Sequence, residues 1–165
     1  MSEDRKCTLH GTQPDGVTLG APQPIDPLTG MHKDYYVICD EDRAKGFVRP
    51  VRDSYRHVGL PSPRYSLRDL TEEEHKRYDT FGYVKYEEYP ETNLSALGRF
   101  WTQEELNKVN RGCQAVTSMN RVIAETYARD PYFYGSTFCA TCRAHLRVGE
   151  FGEFVWMEDG TRVGT

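Results

Sequence analysis

Apolar positions occur in short runs separated by charged or turn-forming residues, so the chain reads as many small elements. Tyr35-Tyr36-Val37-Ile38 is aromatic and β-branched and predicts a strand. Asp40-Glu41-Asp42 marks a turn, and Gly46 to Val51 reads as a second strand that Pro50 confines to an edge or an end. Pro61-Ser62-Pro63 is a break. Thr71-Glu72-Glu73-Glu74 has the form of a capping box opening a helix to Asp79, with Gly82 beyond its end. Thr102-Gln103-Glu104-Glu105 repeats the pattern before a short helix ending near Asn110, with Gly112 as its stop. Between these helices, Tyr83 to Tyr89 predicts a strand. The best helical period runs from Val116 to Arg129, with Val116, Met119, Val122, Ile123 and Tyr127 on one stripe. Asp130-Pro131 ends it, because the residue before proline avoids the α region. The tail from Thr137 to Thr165 predicts two short hairpins: Glu153 to Met157 forms a strand, Asp159-Gly160 a turn and Arg162-Val163 the return.

Gly11 to Gly30 holds Pro14, Pro22, Pro24 and Pro27 and has neither a strand nor a helix period, so it reads as extended chain and turns. The expected organisation is an arm over 1–30 and a single α+β domain over 31–165, with its terminal hairpins at 136–165. The expected fold is a small antiparallel sheet with about three helices.

Composition changes what can hold such a fold together. Of 165 residues only 38% are hydrophobic, while 12% are aromatic and eleven are tyrosines, so a few large rings must carry much of the burial. A modest aliphatic core gains from a metal or a cross-link. The net charge of −4 gives no global argument for nucleic acid or membrane, and no apolar run is long enough for a spanning helix. Met1 to Lys6 lacks the apolar stretch of a signal peptide, so residence in a reducing cytoplasm is expected. There the five cysteines read as metal ligands or buried thiols before disulfides.

Two short-spaced ligand pairs stand at opposite ends, Cys7-x-x-His10 and Cys139-x-x-Cys142. A two-residue gap lets both side chains of a pair reach one tetrahedral ion, and the two pairs together complete a Cys3His set typical of structural Zn2+. The expectation is a zinc-ribbon-like knuckle joining the termini and closing a loop of about 130 residues, whose entropy cost grows only slowly with length. His145, three residues after Cys142, is the rival to His10. Cys39 and Cys113 read as small buried hydrophobes, and His32, His57 and His75 fit no ligand spacing.

Arg43, Lys45, Arg49, Arg52, Arg56, Arg64 and Arg68 face a single acid, Asp53, giving six net positive charges over 26 residues and leaving −10 for the rest. Interleaved Phe47, Tyr55, His57 and Tyr65 make this a candidate for gripping phosphates and stacking on bases. The competing reading pairs the same cations with the chain's own acids, Glu72 to Glu74 or Glu87 to Glu91. No phosphate-binding glycine loop or nucleophile–base spacing is present, so a catalytic role would need an unrecognised site.

Several stretches carry a resemblance. Thr29 to Val37, Arg43 to Gly59 (RAKGFVRPVRDSYRHVG), Gly98 to Thr102 (GRFWT) and Ile123 to Trp156 (IAETYARDPYFYGSTFCATCRAHLRVGEFGEFVW), with the closing Arg162 to Thr165, resemble a group of uncharacterised small bacteriophage and prophage proteins. Their Cys-x-x-His and Cys-x-x-Cys pairs match Cys7, His10, Cys139 and Cys142. The resemblance implies a phage origin, residence in the bacterial host cytoplasm, and a protein or nucleic acid of host or phage as partner. The leading expectation is a non-enzymatic, zinc-stabilised binding protein, with inhibition of a host defence system as one version. Nucleic-acid binding through residues 43–68 is the alternative.

Overall fold

The computed structural model of the chain describes residues 4–11, 23–90 and 98–165. The central part of the expected arm, residues 12–22, lies outside them. Among the described residues the fold is α+β, with ten short strands in four small antiparallel sheets and four α-helices where about three were expected. The chain forms two compact units, one made of residues 1–58 and 113–165 and the other of 59–112, where the sequence predicted an arm and one body.

The discontinuous unit holds β1 (Lys6–Thr8), β2 (Tyr36–Ile38), α1 (Asp40–Arg43), β3 (Ser54–His57), β7 (Val116–Ser118), α4 (Arg121–Arg129), β8 (Ser136–Cys139), β9 (Ala144–Arg147) and β10 (Phe154–Trp156). Strand β3 lies between β10 and β7, with Trp156 opposite Tyr55, Phe154 opposite His57 and Thr117 opposite Tyr55. Side chains two apart on a strand share a face, so Tyr55 and His57 point the same way. Tyr55, Phe154 and Trp156 join Tyr127, Cys139, Val148 and Val163 in the core, with Met119, Ile123, Tyr134 and Leu146 packed against it. The rings meet edge-on: Trp156 is 6.3 Å from Tyr55 and 5.5 Å from Tyr127, the favoured geometry for aromatic quadrupoles.

Three stretches of this unit differ from the sequence pattern. The helix predicted from Val116 begins at Arg121, because Asn120 caps it by accepting the Val122 amide at 2.8 Å. Val116 to Ser118 instead extends and pairs with β3, so the apparent stripe mixed a strand with a helix. The run Gly46 to Val51 is not a strand: the Val48 and Arg49 amides both donate to the Ala128 carbonyl at the end of α4. The expected turn at Asp40 to Asp42 is the single-turn helix α1, its three acids lying in the first turn where the helix dipole favours negative charge.

The inserted unit contains β4 (Leu67–Asp69), α2 (Glu72–Tyr78) continued by a 3-10 turn (Asp79–Phe81), β5 (Tyr83–Glu88), β6 (Gly98–Thr102) and α3 (Gln103–Lys108). The capping box at Thr71 and Glu74 forms in both directions, and Gly82 adopts the left-handed stop. Strand order is β4-β5-β6. Glu87, only 2% exposed, accepts the Arg64 and Tyr65 amides on one oxygen and the Trp101 indole N–H on the other, so each buried donor has its partner.

The described ends of the expected arm are tied to the body without a metal. β1 pairs with β2, and Cys7 forms a disulfide with Cys39. Arg129 meets Asp4 at 3.0 Å, and Arg5 meets Asp42 at 3.2 Å. The reading of Cys7 as a ligand and Cys39 as a buried thiol is therefore replaced by a cross-link spanning 32 residues. A loop of that length corresponds to about 3–4 kcal/mol from reduced freedom of the unfolded chain. Cys39→Ser should therefore destabilise the oxidised protein by about that amount in denaturant titrations. A thiol reductant should bring the wild type down to the variant's stability.

Candidate metal centre

Four donor atoms from three separate stretches of chain converge in the discontinuous unit: His57 at the end of β3, Cys113, Cys139 at the end of β8, and Cys142 in the turn to β9. Their ligand atoms all lie within 4.8 Å of one another. The Cys113 and Cys139 sulfurs are 3.5 Å apart, and so are the Cys142 sulfur and His57 Nδ1. A tetrahedral ion with bonds of about 2.3 Å to sulfur separates its ligands by about 3.8 Å. The four groups are close enough together to hold one metal ion.

Local geometry sets each donor. The β8–β9 turn carries both residues of Cys139-x-x-Cys142. It closes with the Arg143 amide donating to the Cys139 carbonyl at 2.7 Å, with Arg143 at a φ of 55°, and the Cys142 amide points at the Cys139 sulfur at 3.5 Å. Cys113 reaches the site because the β3–β7 pairing continues past the strands: the Gln114 amide donates to the His57 carbonyl at 2.8 Å, and the His57 amide to the Ala115 carbonyl at 3.2 Å.

His57 is held in one orientation. Its Nε2 lies 3.0 Å from Glu153 Oε1, and both side chains are 7% exposed. The Cys113 amide N–H points at Nδ1 at 3.3 Å. A donor facing Nδ1 and a carboxylate facing Nε2 select the tautomer with the proton on Nε2, so the Nδ1 lone pair accepts from the Cys113 amide, 3.5 Å from the Cys142 sulfur. A carboxylate behind a ligating imidazole is the usual outer partner of a metal-bound histidine.

The thiols share their ionisation unevenly. Partial withdrawal from water opposes ionisation of Cys113. It is outweighed by the Ala115 backbone and by the His57, Cys139 and Cys142 side chains, which bring the thiol down to about 7. Withdrawal from water and the neighbouring Cys139 and Cys113 push the Cys142 thiol up to about 12. A bound divalent ion would supply the charge that lets all three ionise.

No protein-family model matches this chain. No curated protein and no solved structure matches it either.

The predicted ligands divide. Cys139 and Cys142 come together, and His57 and Cys113 stand beside them where Cys7 and His10 were expected. Cys7 is spent in the disulfide, and His10 turns its Nδ1 to Asp34 at 3.1 Å. The rival ligand His145 stacks on His32 at 4.0 Å between ring centroids, with its Nε2 3.1 Å from the Tyr35 hydroxyl. The signal in the sequence was the unpaired Cys-x-x-Cys, which calls for two further soft donors; no spacing distinguishes His57 and Cys113 from the other candidates.

Most of the basic segment is occupied within the fold. Arg43 pairs with Asp40 and Glu125, Lys45 with Asp42, Arg52 with Asp159, and Arg68 with Glu74 and Glu88. Arg52 also lies 4.8 Å above the Trp156 ring, and Arg68 lies 4.5 Å above Tyr86. Arg49 donates to the Thr165 carbonyl at 3.3 Å. The Arg56 Nε is buried without a partner, and the Arg64 amide is held by Glu87. The seven residues are split between the two units, with Arg64 and Arg68 in the inserted one.

Burial pushes His145 down to about 4 and lowers His32 as well. The folded chain thus keeps these rings neutral, while the unfolded chain takes up protons near the ordinary value of about 6.5. Between those limits the unfolded state binds more protons, so the stability from this pair is complete above about pH 6.5 and is lost as pH falls toward about 4. The melting temperature of wild type should therefore fall more steeply than that of His145→Phe between pH 6.5 and 5.

Proposed function

We propose that His57, Cys113, Cys139 and Cys142 bind one structural Zn2+ and that the chain is a non-enzymatic, zinc-stabilised binding protein. The supporting observation is the donor set: three thiols and an imidazole whose ligand atoms lie within 4.8 Å of one another, with Glu153 behind the histidine. Soft thiolates with imidazole favour zinc over the hard cations. Four protein ligands leave no open position for a substrate or an activated water, as a catalytic zinc would need.

The ligand positions give the ion its mechanical role. His57 and Cys113 stand at the two ends of the inserted unit, residues 59–112, so an ion held by both closes that loop at its base. The hairpin tip supplies the other two ligands and anchors this closure to the core through the fully buried Cys139. A zinc site of this kind adds its binding free energy to folding. In this reading the centre is a staple holding a presentation surface, and the chemistry of recognition lies elsewhere on the chain. With the resemblance to phage proteins, that supports action in an infected cell on a macromolecule of host or phage, inhibition of a defence system being one form.

Purified protein should carry one zinc per chain by elemental analysis. His57→Ala, Cys113→Ser and Cys142→Ser should each lose it, while Cys7→Ser and His10→Ala keep it. Zinc retained in Cys113→Ser would refute this ligand set. Chelation should lower the melting temperature and speed limited proteolysis at the connections near residues 58 and 113. Unchanged melting on complete zinc removal would exclude a structural role.

A further inference from the structure

Both redox states of cysteine occur in the discontinuous unit. Cys7 and Cys39 are joined as a disulfide, while Cys113, Cys139 and Cys142 are free thiols. Among the free thiols, the Cys113 and Cys139 sulfurs are in contact at 3.5 Å. The Cys142 sulfur lies against a different neighbour, His57 Nδ1, also at 3.5 Å. The candidate metal centre therefore contains one pair of sulfurs placed for a bond between them.

The two partners differ in access and freedom. Cys139 is fully buried at the end of β8, and its carbonyl accepts the Arg143 amide that closes the turn. Cys113 is exposed and lies outside any strand or helix, next to Gln114 with its left-handed φ of 64°. A disulfide holds its sulfurs at about 2.0 Å, so one of this pair must advance by about 1.5 Å. Cys113, on the exposed connection into β7, supplies that movement. Its exposure also lets a small oxidant reach it from water.

We propose that the zinc centre is oxidation-sensitive: hydrogen peroxide joins Cys113 to Cys139 and the ion leaves. The inference rests on the zinc reading for its ion, and on the sulfur geometry alone for its bond. The Cys113 thiolate attacks one peroxide oxygen. The O–O bond breaks, hydroxide departs, and Cys113 becomes a sulfenic acid. The Cys139 thiolate then attacks the Cys113 sulfur, the S–O bond breaks, and a second hydroxide departs. Solvent protonates both hydroxides, so two thiolates, one peroxide and two protons give one disulfide and two waters. His57 and Cys142 are left as ligands, too few for a closed four-coordinate site. The new link spans 26 residues and keeps Cys113 tied to the core after the ion has gone.

The zinc content of the purified chain is measured first and decides the zinc reading by itself. Hydrogen peroxide should then release one zinc per chain, read with a chromogenic chelator. Non-reducing peptide mapping should show a Cys113–Cys139 link beside the Cys7–Cys39 link, with Cys142 still a thiol. If the chain carries no metal, the zinc reading fails and the mapping still decides the bond. Cys142→Ser keeps the pair and should form the same link, whereas Cys139→Ser should leave Cys113 unlinked. A thiol reductant followed by zinc should restore the bound ion. The proposal is overturned if peroxide leaves the three thiols intact, if the new bond joins Cys139 to Cys142, or if the sulfurs pass to sulfinic acid without a disulfide.

Discussion

Three thiols and an imidazole gathered within 4.8 Å of one another form a cluster whose ionisation must be resolved. Without a cation the Ala115 backbone, His57 and the two other thiols draw Cys113 down, while withdrawal from water and the neighbouring thiols drive Cys142 up. With a divalent ion the same crowding becomes coordination. The surroundings of the cluster hold these atoms in place: Glu153 fixes the imidazole, the extended β3–β7 pairing delivers Cys113, and the tight β8–β9 turn delivers the last two sulfurs. The cluster also lies where the chain leaves for the inserted unit and where it returns, so local chemistry and long-range topology are decided at one point.

The five cysteines divide their work. One pair is oxidised and ties the described N-terminal strand across 32 residues; the other three remain thiols. Both devices compensate for the same shortage. The core of the discontinuous unit is built from Tyr55, Tyr127, Phe154 and Trp156 with few aliphatic side chains, and the polar end of the Tyr55 ring is satisfied. Tyr55 donates to the Phe138 carbonyl and accepts from Thr137. In the inserted unit, Glu87 receives the N–H of the buried Trp101. Cross-links and polar anchors stand in for the aliphatic area that the composition lacks.

Local signals were legible where they rested on nearest-neighbour chemistry. The capping box at Thr71, the N-cap at Thr102, the strand at Tyr36, the stop at Gly82 and the hairpin around Cys139 and Cys142 all depend on residues a few positions apart. Readings failed where two elements shared one pattern. Val116 and Met119 fell in phase with the stripe of α4, although Val116 belongs to a strand and both precede Asn120, which caps the start of the helix. Gly46 to Val51 has strand-like composition, but its amides find a carbonyl at the end of α4 before they find another strand.

The order of residues was enough to specify short antiparallel elements, a single turn from which Cys139 and Cys142 face one point, and a core dominated by large rings. These outcomes are set by backbone geometry over a few residues and by composition. The donors that join that turn were chosen by long-range packing. His57 lies 85 residues from Cys142, and Cys113 lies 26 residues from Cys139, so neither spacing carries a local constraint. Their meeting follows from the pairing of β3 with β7 and β10, a choice made by burial of the shared face. Long-range pairing likewise set Cys7 against Cys39 and most of the basic segment against the chain's own carboxylates.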